Sequence, residues 1–149
     1  NNSMGVLSSN LEANLVEVDF YRPDIGANPN PIPVVSPKYF NSQNYVLMMF
    51  KNDGTYKVLR AQVKFYDRSA EQIGVYPLRS GEQAYDDLKK GKGFVIAQPQ
   101  TTDVTIRKMF LGYFDPDVYQ EYLQPVYVFL GDGDFVGYVP AVSKDYLVE

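Results

Sequence analysis

The sequence predicts an α+β fold: an antiparallel β-sheet built from hairpins and a meander, with one main packed helix at about 80–90. Three observations carry this. Apolar residues alternate with polar ones at period two over several stretches, the signature of half-buried strands. Asp53-Gly54 sits between two such stretches, the dipeptide of a tight hairpin. A single segment, Ser80 to Gly91, carries helix start and stop signals together.

In chain order, 1–10 (NNSMGVLSSN) is small and polar and reads as a flexible lead-in. The first strand starts near Leu15, where Val16, Val18 and Phe20 alternate with Glu17 and Asp19. Pro23 ends it, because proline has no N–H for a ladder. Residues 23–44 hold five of the ten prolines. Such a stretch favours extended backbone and turns and opposes helix. It reads either as a connector whose piece Ile32-Pro33-Val34-Val35 is pinned to the core, or as a binding loop. Tyr45–Lys51 is an apolar run suited to a strand covered on both faces. After Asp53-Gly54 the return strand runs from Tyr56 to Tyr66.

Asp67–Gly74 is a polar connector. Ser80 with Gln83 three residues later forms a capping-box pattern, and Leu78 is placed to staple onto Ala84. Glu82 in the first turn and Lys89 and Lys90 in the last follow the helix dipole. Gly91 is placed for a left-handed end. Ala84 and Leu88 make one apolar stripe, whereas Asp86, Asp87 and Lys90 read as an exposed, ion-paired face. Phe94–Ala97 is a short strand. Val104–Phe114 is a long one with room for a bulge at Arg107-Lys108. Asp115-Pro116-Asp117 breaks it, and Val118–Tyr122 suits one helical turn. Leu123–Leu130 and Phe135–Val142 form a last hairpin closed by Gly131-Asp132-Gly133-Asp134. The domain reading is one unit over 11–149, with two packed lobes, 11–79 and 80–149, as the alternative.

Composition bounds the function. The 149 residues carry a net charge of −4, with 13 Tyr, 9 Phe and neither Cys nor His. Without a basic face the chain is not expected to bind nucleic acid. The missing Cys and His exclude a disulfide scaffold, a thiol nucleophile, a Ser-His-Asp triad and the commonest zinc ligands. No cofactor or metal site is expected: Gly131–Asp134 lacks the ligand spacing of a calcium loop. Asp115 with Asp117, and Asp132 with Asp134, are the acids that a carboxylate-dependent hydrolase acting on a glycan would use. The plainer reading of each pair is a turn.

Tyrosine offers large contact area with few rotors and suits interfaces. Tyr39, Tyr45, Tyr113 and Tyr127, with the loop residues Ile32 and Val34, are the candidate binding residues. Tyr66, Tyr76, Tyr119, Tyr122 and Tyr138 belong to the same tyrosine-rich set.

Residues 80–142 also resemble a known family. Glu82, Ala84, Leu88 and Gly91, then Ile106, Leu111, Gly112 and Tyr113, then Leu123, Pro125, Val126, Tyr127, Phe129 and Gly131, with Tyr138 and Ala141, follow a pattern similar to PepSY-like domains. The pattern also looks like that of extracytoplasmic regulatory lipoproteins that restrain a histidine kinase in Gram-positive bacteria. The resemblance implies a non-enzymatic binding or regulatory module, extracytoplasmic or at the cell surface of a bacterium. It implies a protein or peptide partner, with peptidase inhibition as one role. It also implies a membrane link only through a segment absent from this chain.

Overall fold

The computed structural model describes residues 5–7, 13–67, 74–101 and 103–143. The fold is α+β: nine β-strands and one α-helix among the described residues. The chain divides into two compact units. The first comprises 1–22 and 40–66, the second 23–39 and 67–149. This division differs from the two-lobe alternative. The proline-rich segment 23–39 belongs with the C-terminal part, because its apolar piece pairs there.

The first unit is a four-stranded antiparallel sheet of order β1 (Gly5–Leu7), β2 (Ala13–Asp19), β4 (Tyr45–Lys51) and β5 (Tyr56–Gln62). Residues 5–7 are thus a strand, which corrects the lead-in expectation for them; the rest of 1–10 lies outside the described residues. Asp53 shapes the β4–β5 turn: its carboxylate accepts from the Thr55 N–H at 2.9 Å and the Thr55 hydroxyl at 2.6 Å. Gly54 takes the positive φ of 81° that the turn requires. The return strand ends at Gln62, not Tyr66, and its register shifts opposite Leu47/Met48, leaving Leu59 as the bulged residue. The expectation that Tyr45–Lys51 is covered on both faces is also corrected. No described apolar side chain of this unit is buried; its buried residues are Ser42, Gln43 and Asn44. They sit where the Phe20 N–H donates to the Asn44 carbonyl and Asn44 Oδ1 accepts from the Lys64 N–H.

The second unit is a five-stranded sheet of order β3 (Val34–Val35), β7 (Ile106–Phe114), β8 (Gln124–Gly131), β9 (Phe135–Pro140) and β6 (Phe94–Ala97). β3 pairs parallel with β7, and the other pairings are antiparallel. The connector reading of 23–44 therefore holds at Val34-Val35. The Tyr113 N–H donates to the Pro33 carbonyl and the Asp115 N–H to the Val35 carbonyl. The bulge in β7 falls between Ile106 and Lys108.

Helix α1 (Gly81–Lys89) begins with the full capping box, Ser80 and Gln83 each satisfying the other's backbone N–H. It stops where Gly91 adopts φ of 69°. Leu78 does not form the staple: it is exposed, and its backbone bridges to Val142. Ala84, with Leu88 beside it, packs on Phe129 and Val139 on one face of the sheet. On the other face Val126, Val128, Val136 and Tyr138 form a second cluster with Val35, closed in part by Tyr39, Phe110 and Phe114. Val128 and Val136 are wholly out of solvent. This double-sided burial is what the alternating apolar residues of β8 and β9 encode.

The exposed ion-paired face predicted for α1 is half right. Asp86 pairs with Lys89 at 2.8 Å on the surface. Asp87, by contrast, is buried and pairs with Arg79 at 2.7 Å. No helix among the described residues is long and apolar enough to cross a membrane.

Candidate functional site

The second unit ends, at the β7–β8 connection, in a loop that the sequence encodes through Pro116. Proline cannot extend the ladder, so β7 stops at Phe114 and the chain turns out over 115–123. No helical turn forms at Val118–Tyr122. Val118, Tyr119 and Tyr122 are exposed there, Tyr119 to 62%.

A second segment reaches the same end. The Arg79 N–H donates to the Ala141 carbonyl and the Ser143 N–H to the Pro77 carbonyl. Residues 77–79 therefore run beside 141–143. The Ala141 N–H in turn donates to the Pro125 carbonyl. This lateral order brings Tyr76, itself exposed, to the end occupied by Tyr122. The Tyr122 phenol is raised above its ordinary range, first by partial desolvation, then by Glu121 and by the neighbouring Tyr76 and Tyr119. The result is a three-tyrosine patch edged by the carboxylate of Glu121. Its chemistry is contact area, phenol hydrogen bonding and negative charge.

The six sequence-predicted binding residues are spread over the two units. Tyr45 lies in the first unit, on β4. The other five lie in the second. Val34 and Tyr113 are register partners between β3 and β7. Ile32 is held by a two-residue bridge to Ile25. Tyr39 packs against the buried cluster around Tyr138, and burial raises its phenol. Tyr127 sits beside the helix contact, and its hydroxyl donates to the Arg79 carbonyl at 2.8 Å. Tyr39 and Tyr127 thus have structural work to do. Tyr76, Tyr119 and Tyr122 are the members of the tyrosine set that reach solvent together. Pro77 and Pro116 place them in connections, a signal that Tyr39, two residues after Pro37, shares.

The acids fall into separate places. Asp115 is 3% exposed, which corrects the view of it as a solvated turn residue; Asp117 is exposed. Asp132 and Asp134 lie in the 3-10 turn Asp132–Asp134, at the far end of β8. At ~3.4 Å per residue, the eight residues of β8 put the two acid pairs on the order of 27 Å apart. The general acid of a glycosidase needs a raised carboxyl pKa. Asp132 is held at both carboxylate oxygens by Arg107, at 2.8 Å each. Asp53, Asp86 and Asp132 all have lowered carboxyl pKa values, foremost by hydrogen bonds from Thr55, Lys89 and Arg107 respectively. No group of three or more acids that could hold a metal ion occurs among the described residues.

In the first unit, a shallow open depression is lined by Phe20, Tyr21, Asn44, Val63 and Phe65. The Arg22 guanidinium stacks over the Phe65 ring at 3.8 Å, a cation–π contact that fixes one wall.

Compared with known proteins, the chain matches no family model, no curated protein and no solved structure.

Proposed function

We propose that this chain is a non-enzymatic binding module that engages a protein or peptide through the Tyr76/Tyr119/Tyr122 patch. The observation that carries the proposal is the meeting of three exposed tyrosines from two connections at one end of a rigid sheet. Tyrosine-rich patches on a rigid support suit interfaces, because their area is delivered at small entropic cost. Glu121 at the edge, and a net charge of −4, favour a partner with basic side chains. The Arg107 clamp that lowers the Asp132 carboxyl favours this over a glycan hydrolase, whose general acid needs a raised one. The resemblance of 80–142 to PepSY-like domains and kinase-restraining lipoproteins favours a regulatory role outside the cytoplasm of a bacterium.

An array of Lys- and Arg-bearing peptides tests the binding reading. Binding that is lost in the Tyr76→Ala/Tyr119→Ala/Tyr122→Ala variant supports it; binding that survives moves the site elsewhere. Glycan turnover abolished by Asp115→Asn or Asp132→Asn would establish the hydrolase instead. Immunoblots of fractionated source cells check the compartment, and recovery in the cytosol overturns the extracytoplasmic part.

A further inference from the structure

Among the described residues the outer strands of the two sheets differ sharply in length. β1 has three residues, β3 two and β6 four. Edges so short give another chain little to pair with. β5, the remaining outer strand, has seven residues, and Tyr56 to Ala61 are all exposed. Its inner side bonds to β4, starting at the turn where the Lys51 N–H donates to the Thr55 carbonyl. Inward-bonded and outward residues alternate along an antiparallel ladder. Tyr56 and Val58 therefore turn their N–H and C=O groups to the open side.

The side chains of this edge are divided by charge. Tyr56, Val58 and Ala61 lie on one face, opposite Phe50, Met48 and Val46 of β4. Lys57 and Arg60 lie on the other, because the bulge at Leu59 brings Arg60 onto the face of Lys57. Their cross-strand neighbours on β4 are the uncharged Met49 and Leu47. Neither cation has an ion-pair partner among the described residues.

We propose that β5 is the docking edge for an extended peptide segment that alternates Asp or Glu with apolar residues and joins the sheet as one more strand. Main-chain bonds to Tyr56 and Val58 hold such a strand, and its side chains set the specificity. Its acids fall beside Lys57 and Arg60, and its apolar residues beside Tyr56, Val58 and Ala61. Past Gln62, Val63 and Phe65 line the shallow depression with Phe20, Tyr21 and Asn44, which seats a further apolar side chain. Charge selects this occupant. Centred pairing of β5 with the β5 of a second copy sets Lys57 and Arg60 against cations of their own kind, which is unfavourable. Cations on an edge likewise discourage neutral and basic strands, and an acidic strand turns the same charges into attraction. The edge belongs to the first unit, so it is independent of the tyrosine patch.

Fluorescence anisotropy of a labelled peptide of alternating Glu and Val, titrated with the whole chain, tests this. The peptide is expected to bind, more weakly as salt rises. Lys57→Glu combined with Arg60→Glu weakens it about tenfold or more. Lys108→Glu, a charge reversal in the second unit, leaves it unchanged, and a peptide of alternating Lys and Val does not bind. Hydrogen exchange at the Tyr56 and Val58 amides slows when the Glu-Val peptide is bound. Failure of that peptide to bind overturns the proposal, and so does equal binding of the Lys-Val peptide or full binding to the double variant. Binding without slowed exchange shows a charge contact and no added strand, which also overturns it. A chain that dimerises alone with those two amides protected assigns the edge to a second copy instead.

Discussion

Arg79 Nη1 lies 2.7 Å from Asp87 Oδ2, with the two side chains only 8% and 12% exposed. The same arginine reaches the Val142 carbonyl through Nη2 at 3.2 Å, and its own carbonyl accepts the Tyr127 hydroxyl. One residue therefore ties the start of α1, the body of α1, β8 and the segment after β9. Breaking a buried pair costs up to about 3–5 kcal/mol, and Lys92, 3.7 Å from Asp87 Oδ1, compensates the remaining carboxylate only in part. Arg79→Ala is expected to destabilise the chain by that order in urea denaturation. Replacing both partners, as Arg79→Met with Asp87→Leu, is expected to recover most of the loss. A loss under about 1 kcal/mol for Arg79→Ala would mean the pair is solvated and weak.

Close packing of the helix on the sheet gives a second expectation. A Cβ on Gly93 would lie 2.9 Å from the Tyr138 carbonyl oxygen and 3.0 Å from Val139 Cγ2. The nearest obstacle is backbone, so the chain between α1 and β6 must move. Gly93→Ala is expected to cost about 1–3 kcal/mol as overpacking. Gly137 meets Leu88 Cδ1 at 3.0 Å and the Phe135 ring at 3.2 Å, both side-chain atoms. Gly137→Ala is therefore expected to cost less than Gly93→Ala. Thermal melts of the two variants rank them, and the reverse order would show that the Tyr138 backbone yields more easily than the packed side chains.

What was legible in the sequence follows from which signals are local. The capping box at Ser80 and Gln83, the Asp53-Gly54 turn and the β7 bulge near Arg107 are short-range features, and each sits where the pattern placed it. Long-range features were not legible. Arg79 and Asp87 both look like surface charges in a polar stretch, and only the fold of 141–143 against 77–79 closes them off. Asp115 looks like a turn residue until β3 adds to β7 beside it. The division of the chain also depends on that parallel pairing, which no period-two pattern announces. For the candidate site, residue type was legible but assembly was not. Tyrosine abundance pointed to a contact surface, but which tyrosines meet depends on the lateral order of three extended segments.

Arg107 and Asp132 give an electrostatic test. The guanidinium's hydrogen bonds and charge hold the Asp132 carboxyl below the ordinary carboxylate range. A depressed folded value means that its contribution to stability is present above the unfolded value of about 3.9 and is lost as pH falls through the folded one. Carboxyl NMR titration is expected to show Asp132 titrating below about 3.9 in the wild type. Arg107→Ala should return the midpoint to the ordinary range and remove this acid-side sensitivity. An unchanged midpoint would show that the pair is not formed in solution. Because both side chains are well exposed, salt should also weaken the shift.

Tyr138 makes the opposite case at alkaline pH. Its hydroxyl donates to the Ser36 carbonyl at 3.0 Å, and burial, with Tyr39 nearby, raises its phenol well above the ordinary tyrosine value. A raised folded value means that the neutral phenol is favoured by folding. Its contribution is fully present below the unfolded value of about 10 and is lost as pH rises above that. Unfolding near pH 11 therefore releases a proton from this side chain. Tyr138→Phe is expected to cost on the order of 1 kcal/mol at pH 8, where the Ser36 carbonyl loses its donor. At pH 11 the gap between variant and wild type should shrink, because the wild type alone carries the ionisation penalty at this position. Urea denaturation of both proteins at the two pH values measures the gap. A gap that stays constant would mean that the Tyr138 phenol titrates alike in the folded and unfolded chains, and that the Phe114–Tyr138 edge contact at 5.8 Å, not desolvation, is what holds the ring in place.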